Sequence, residues 1–210
     1  SLMGVVISNQ IFEIPGIVST SYLEDPSLRL SPQDRRRRKH GEVRALVWHT
    51  TGGYPDREHP TPQRVRPEAA PARALRGRRV EEMWEKDARC AGSHLILDAD
   101  GSVLCLADLQ EEAAYHAGQA NEYTIGIEVT QQPDSSLYAA QIAAVPVLGA
   151  WLSAAFGLPR RACYPYTGVR KGILEELGSY GHRDCSDNRG TGDPGDFIMQ
   201  ALLDAGWTAF

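Results

Sequence analysis

Two short apolar segments, far apart in the chain, constrain the fold more than anything else in this sequence. Val43 to His49 alternates in strand period, with Val43, Ala45, Val47 and His49 on one face and Leu46 and Trp48 on the other. Thr124 to Thr130 does the same, turning Ile125, Ile127 and Val129 toward a core and Gly126, Glu128 and Thr130 away from it. The first strand thus ends on a histidine, and the second carries Glu128 on the face away from its apolar side. Between them, His94 to Leu97 and Ser102 to Ala107 flank Asp98-Ala99-Asp100-Gly101 and predict an antiparallel hairpin. Helices are expected from Val80 to Ala88, from Ala139 to Phe156 with a kink or a later start imposed by Pro146, and at the C-terminal end, where Pro194 takes a first-turn position. Strands mixed with helices indicate an α/β (α+β) domain.

The 210 residues suit one globular domain, read here as 42–210, with an appended arm over 1–41. The arm mixes short apolar pieces, prolines and the basic run Arg35 to Lys39, which reads as a solvated linker. Tyr54 to Arg79, rich in Pro and Arg, reads as a long surface loop of the kind that borders clefts. A net charge of -5 gives no general footprint for nucleic acid, and no such partner is expected. No stretch approaches the ~20 consecutive apolar residues of a membrane-spanning helix. Gly4 to Ile7 is a brief apolar run without preceding basic residues, so it is not read as a signal peptide, while a start at Ser1 leaves a removed leader open. Cys90, Cys105, Cys163 and Cys185 are scattered and form no CxxC pair, which leaves their disulfide state and the compartment open.

Three histidines sit among small or turn-forming residues: His49-Thr50-Thr51-Gly52, Tyr115-His116-Ala117-Gly118 and Gly181-His182-Arg183-Asp184. Such settings permit close approach by a metal, and a catalytic zinc needs about three protein ligands with one position left open. No local HxxxH or HExxH pair occurs, so spacing alone does not choose the ligands.

Four blocks in order carry a resemblance. They are Ala45 to Gly53; Ser93-His94-Leu95-Ile96-Leu97 through Asp100-Gly101; Tyr115-His116-Ala117-Gly118 followed by Ile125-Gly126-Ile127-Glu128; and Gly181-His182-Arg183-Asp184 followed by Asp193-Pro194-Gly195. Together they resemble the amidase_2 family of zinc-dependent N-acetylmuramoyl-L-alanine amidases, which also includes peptidoglycan-recognition proteins. The resemblance implies one domain with a central mixed β-sheet flanked by helices, and one catalytic zinc held by His49, His182 and Asp193. It implies that Glu128 transfers protons, that His116 lines the site as a substrate contact or oxyanion support, and that His94 is structural. Peptidoglycan or a muropeptide would be the substrate.

Two departures shift the expected mechanism toward zinc and Glu128. Many phage members carry a catalytic Tyr where this chain has Ser93, and many phage and recycling members carry a Lys where it has Thr191. Thr191 is able to donate a hydrogen bond to a developing oxyanion but brings no charge, and Arg189 is the nearest substitute cation. Within the family, the lack of a signal peptide and the long Tyr54 to Arg79 loop, suited to an open polymer groove, favour an endolysin-like cell-wall hydrolase, held in the cytoplasm until release or secreted by an unseen leader. A cytosolic muropeptide recycler and a non-catalytic peptidoglycan-binding module are the alternatives. Oligomeric state, stem-peptide preference and origin are left open.

Overall fold

The computed structural model describes residues 3–51, 61–62, 64–173, 175–187 and 191–210. The turn at Gly52-Gly53, the beginning of the Tyr54 loop and Arg189 lie outside the described residues. Eight strands form one sheet: β1 (Ser19–Ser21), β2 (Ala45–Thr50), β3 (Leu95–Leu97), β4 (Val103–Cys105), β5 (Thr124–Val129), β6 (Arg161–Ala162), β7 (Gly178–Gly181) and β8 (Thr208–Ala209). Their spatial order is β8-β6-β7-β2-β5-β3-β4-β1. Every neighbouring pair is parallel except β3 and β4, the expected hairpin, so the sheet is mixed. The helices are α1 (Gly77–Lys86), α2 (Ala139–Phe156), the single turn α3 (His182–Cys185) and α4 (Asp196–Asp204).

The alternation read from β2 and β5 decides which side of the sheet is core. Leu46, Trp48, Ile125, Ile127 and Val129 pack with Val145, Leu148 and Leu152 of α2 and with Ile198 and Leu202 of α4. Each large apolar side chain so buried contributes roughly 1.5–3 kcal/mol. Trp48 is wholly buried, and its indole N–H donates to Ser179 Oγ at 3.3 Å, so this ring brings no unsatisfied donor into the core. α2 is long and apolar enough by composition to cross a membrane, yet its Val145, Leu148 and Leu152 side is core. The helix is continuous from Ala139 with Pro146 inside it, and it stops at Gly157 in the left-handed conformation (φ 64). The later start considered for it does not occur.

Three expectations are corrected. The described part of the expected 1–41 arm, residues 3–41, is built into the body instead of forming an arm. Val5, Val6, Ile14 and Leu28 join the main core, β1 completes one edge of the sheet, and Arg35–Arg37 pairs antiparallel with Glu112–Ala114. These strands are three residues long and find partners far away in sequence, below the reach of any periodicity window. The basic run is likewise not a solvated linker, because Arg38 is 6% exposed and Arg35 and Arg36 pair with Glu112 and Glu122. Pro194 does not open α4, since Gly195 with φ 78 interrupts helical geometry and the helix starts one residue later, at Asp196. Part of the expected Tyr54 to Arg79 loop is also ordered, with Arg64–Arg66 parallel to Ser136–Tyr138 and α1 beginning at Gly77.

Candidate metal centre

His49 is the fifth residue of the six in β2, near the carboxyl end of the strand, the usual place for ligands in parallel sheets. Its side chain leaves the sheet on the face opposite Trp48, and the parallel register sets Glu128 of β5 directly beside it. β7 runs along the other side of β2 and ends at Gly181, so His182 arrives next to His49; the two rings lie 4.5 Å apart, edge to face. Asp193 closes the group from the segment before α4. Its Oδ2 is 3.1 Å from His182 Nδ1, and its Oδ1 is 3.6 Å from His49 Nδ1 while accepting from Thr50 N at 3.2 Å.

One ligand atom from each of His49, His182 and Asp193 falls within 4.8 Å of the others, and all three residues are buried. Two imidazoles and a carboxylate suit zinc in type and number, with a fourth position for water or substrate. The three segments named from the sequence are therefore brought together. Glu128 lies beside His49 in register and is partly buried. Thr191 is exposed, with its Oγ1 3.5 Å from that of Thr61. Cys185 is not part of the cluster; its thiol donates to Gly181 O at 3.5 Å, and burial pushes its pKa up.

His116 is drawn inward. Its Nδ1 is 2.9 Å from His49 Nε2 and its Nε2 is 3.0 Å from Thr124 Oγ1, so both ring nitrogens meet protein partners. Burial lowers its pKa well below the ordinary histidine value, and the neighbouring His94 and His182 act in the same direction. His94 is fully buried: its Nδ1 accepts from Gly126 N at 3.1 Å and its Nε2 donates to Glu112 O at 2.8 Å. With Nε2 protonated, the 3.2 Å approach of Arg38 Nη2 sets donor against donor and is not a hydrogen bond. Ser93 is buried and its hydroxyl donates to Leu95 O at 2.8 Å.

The Amidase_2 family model, described as N-acetylmuramoyl-L-alanine amidase, matches residues 39–196. The chain belongs to that family. Among solved structures it resembles the ectodomain complex of peptidoglycan recognition proteins LCa and LCx bound to tracheal cytotoxin, with TM-score 0.55 and 15% identity over 90% of this chain and 96% of that one. It is similar to Drosophila peptidoglycan recognition protein SD, with TM-score 0.54 and 14% identity over 89% and 92%. It also resembles AmpD, with TM-score 0.50 and 17% identity over 83% and 90%. At such identities the likeness speaks for the fold. A search of the curated proteins returns no match.

Several residues that the sequence left unassigned shape this Amidase_2 site. A Cβ on Gly126 would sit 2.6 Å from His116 Cγ, so the glycine of Ile-Gly-Ile-Glu makes room for the imidazole over β5. A Cβ on Gly181 would lie 2.6 Å from Pro194 Cδ, so that glycine admits the segment bearing Asp193. Arg183, 2% exposed, donates to Thr191 O at 3.1 Å and Asp196 Oδ1 at 2.8 Å, which clamps the same segment. Asp184 Oδ2 accepts from Gly181 N at 2.7 Å. The Gly-His-Arg-Asp motif thus holds its own histidine and the distant aspartate in one geometry. A cleft of about 860 Å³ opens alongside, lined by His116, His182, Tyr115, Arg89, Arg170 and Glu175 among others.

Proposed function

We propose that this chain is a zinc-dependent N-acetylmuramoyl-L-alanine amidase, hydrolysing the amide between the lactyl group of N-acetylmuramic acid and the L-alanine of the stem peptide. The observation that carries the reading is the convergence of His49, His182 and Asp193, all buried, with Glu128 beside His49 in register. A pure binding module would not need a carboxylate set next to three metal-type donors. Zinc in this site would supply Lewis-acid polarisation of the scissile carbonyl and a nucleophilic water near neutral pH.

The remaining chemistry belongs to the chain. His49, His182 and Asp193 hold the ion. Glu128 takes a proton from the attacking water and returns it to the departing alanine nitrogen, so the products are a free lactyl carboxylate and a new alanine N-terminus. Thr191, at the rim, offers its hydroxyl to the oxyanion. The cleft reaches the site at His182 and His116.

Metal-loaded protein incubated with purified sacculi and with soluble muropeptides tests the reading. New alanine amines without new glycan reducing ends are expected. Zinc binding with neither product, where a control amidase works, would establish a binding module instead. Preference for sacculi marks a cell-wall hydrolase of the endolysin kind, and preference for the small fragments marks a recycling enzyme.

A further inference from the structure

The hydrogen bonds behind His49 have only one consistent set of directions. Ala120 O is able only to accept and lies 2.8 Å from Thr124 Oγ1, so the hydroxyl proton goes to it. The same hydroxyl oxygen then accepts from His116 Nε2 at 3.0 Å, which places the His116 proton on Nε2. A neutral imidazole has one N–H, so His116 Nδ1 is a bare acceptor, and His49 Nε2 at 2.9 Å donates to it. The His49 proton is thereby assigned to Nε2. His49 Nδ1, the nitrogen 3.6 Å from Asp193 Oδ1, carries the lone pair.

We infer that His116, oriented by Thr124, is a positioning residue that holds His49 in the tautomer able to ligate a metal through Nδ1. The inference rests on the metal-site reading above. Its necessity follows from Asp193. Left alone, a carboxylate facing Nδ1 draws the imidazole proton to that nitrogen and converts a ligand into a hydrogen-bond donor. A relay from a backbone carbonyl through a hydroxyl and a second imidazole opposes that pull at the far side of the ring. Ligating histidines commonly give their second N–H to an outer partner that sets the tautomer, and here the partner is another histidine with its own fixed acceptor.

The relay is braced from outside the site. Asn121 Oδ1 accepts from His116 N at 2.9 Å and from Ala117 N at 2.6 Å. Arg38 donates to the carbonyls of Asn121, Glu122 and Thr124, so the N-terminal segment fixes the turn that carries the relay. Thr124 is fully buried, and Gly126 leaves the space the His116 ring fills.

The test uses the full chain labelled with 15N-histidine. Long-range proton–nitrogen NMR on metal-free protein reads which His49 nitrogen is protonated, and competition with a chromogenic chelator reads zinc affinity. The wild type is expected to show His49 protonated on Nε2. Thr124→Val removes the acceptor for His116 Nε2, mixes the His49 tautomers and weakens zinc about 10–100-fold, while Thr124→Ser restores both. His116→Asn, which keeps an acceptor where Nδ1 stood, loses less affinity than His116→Phe. A wild type protonated on His49 Nδ1, or zinc affinity within about twofold of wild type in both Thr124→Val and His116→Phe, overturns the relay. Wild-type protein that shows the Nε2 tautomer but takes up no zinc supports the relay and sinks the metal-site reading, so the two failures are distinguishable.

Discussion

Two buried polar clusters flank the His116 ring, whose centroid is 5.1 Å from that of His49 and 5.8 Å from that of His94, and they are wired in opposite ways. Around His94 the donors mostly meet acceptors, apart from Arg38 Nε, which has no partner. Arg38 directs its Nη hydrogens to four carbonyls, those of Leu109, Asn121, Glu122 and Thr124, while Glu112 takes Arg29 and Arg35. Around His49 the three converging residues offer a carboxylate and imidazole nitrogens to one another, an arrangement able to hold a cation. A closed network suits a structural device, whereas an electron-rich convergence has the donor set a ligand site needs. The lesson is that burial of histidine does not distinguish the two; the direction of the surrounding N–H groups does.

The comparison breaks most visibly if the open cluster is not a metal site. Asp193→Ala and His49→Ala should each lose zinc and amide hydrolysis together, while secondary structure by circular dichroism stays wild-type. Glu128→Gln should keep one zinc per chain and lose turnover by roughly 10²–10⁴-fold, read by release of alanine amines. In the closed cluster the cost falls on stability. Arg38→Met strands four buried carbonyls and should lower unfolding free energy by roughly 3 kcal/mol or more in denaturant titration; deletion of 1–41 should be worse, because it also removes a sheet edge and core side chains. The His94 environment adds an acid limit. Burial, with Arg38 nearby, pushes its pKa from 6.5 down to about 3. The unfolded chain takes up that proton as pH falls past 6.5 and the folded chain only near 3, so stability is full above 6.5 and declines across that window. His94→Gln should flatten the decline. The smallest effect is expected for Thr191→Val, about tenfold or less in turnover, because its hydroxyl is exposed and water substitutes for it.

The open cluster was largely legible in the sequence and the closed one was not. His49, His182, Asp193 and Glu128 stand in motifs whose order is informative, and the strand alternation correctly turned Ile125, Ile127 and Val129 toward the core. The relay was hidden because Thr124 and Asn121 act through single hydrogen bonds that leave no periodicity. Arg38 was misread because a run of arginines looks solvated until its carbonyl partners, more than eighty positions away for three of them, are known. Ser8 and Asn9, at φ 49 and 62, form a two-residue hairpin turn between Val5–Ile7 and Gln10–Phe12. Asp108 accepts from both of their N–H groups, which ties that hairpin to the body.

The most direct measurement is zinc content against activity in one preparation, by metal analysis and alanine-amine release from muropeptides during chelation and readdition. The account predicts one zinc per wild-type chain, activity that disappears and returns in step with it, and no zinc in Asp193→Ala. Full amide hydrolysis by zinc-free wild-type protein, or one tightly held zinc in Asp193→Ala, would contradict it.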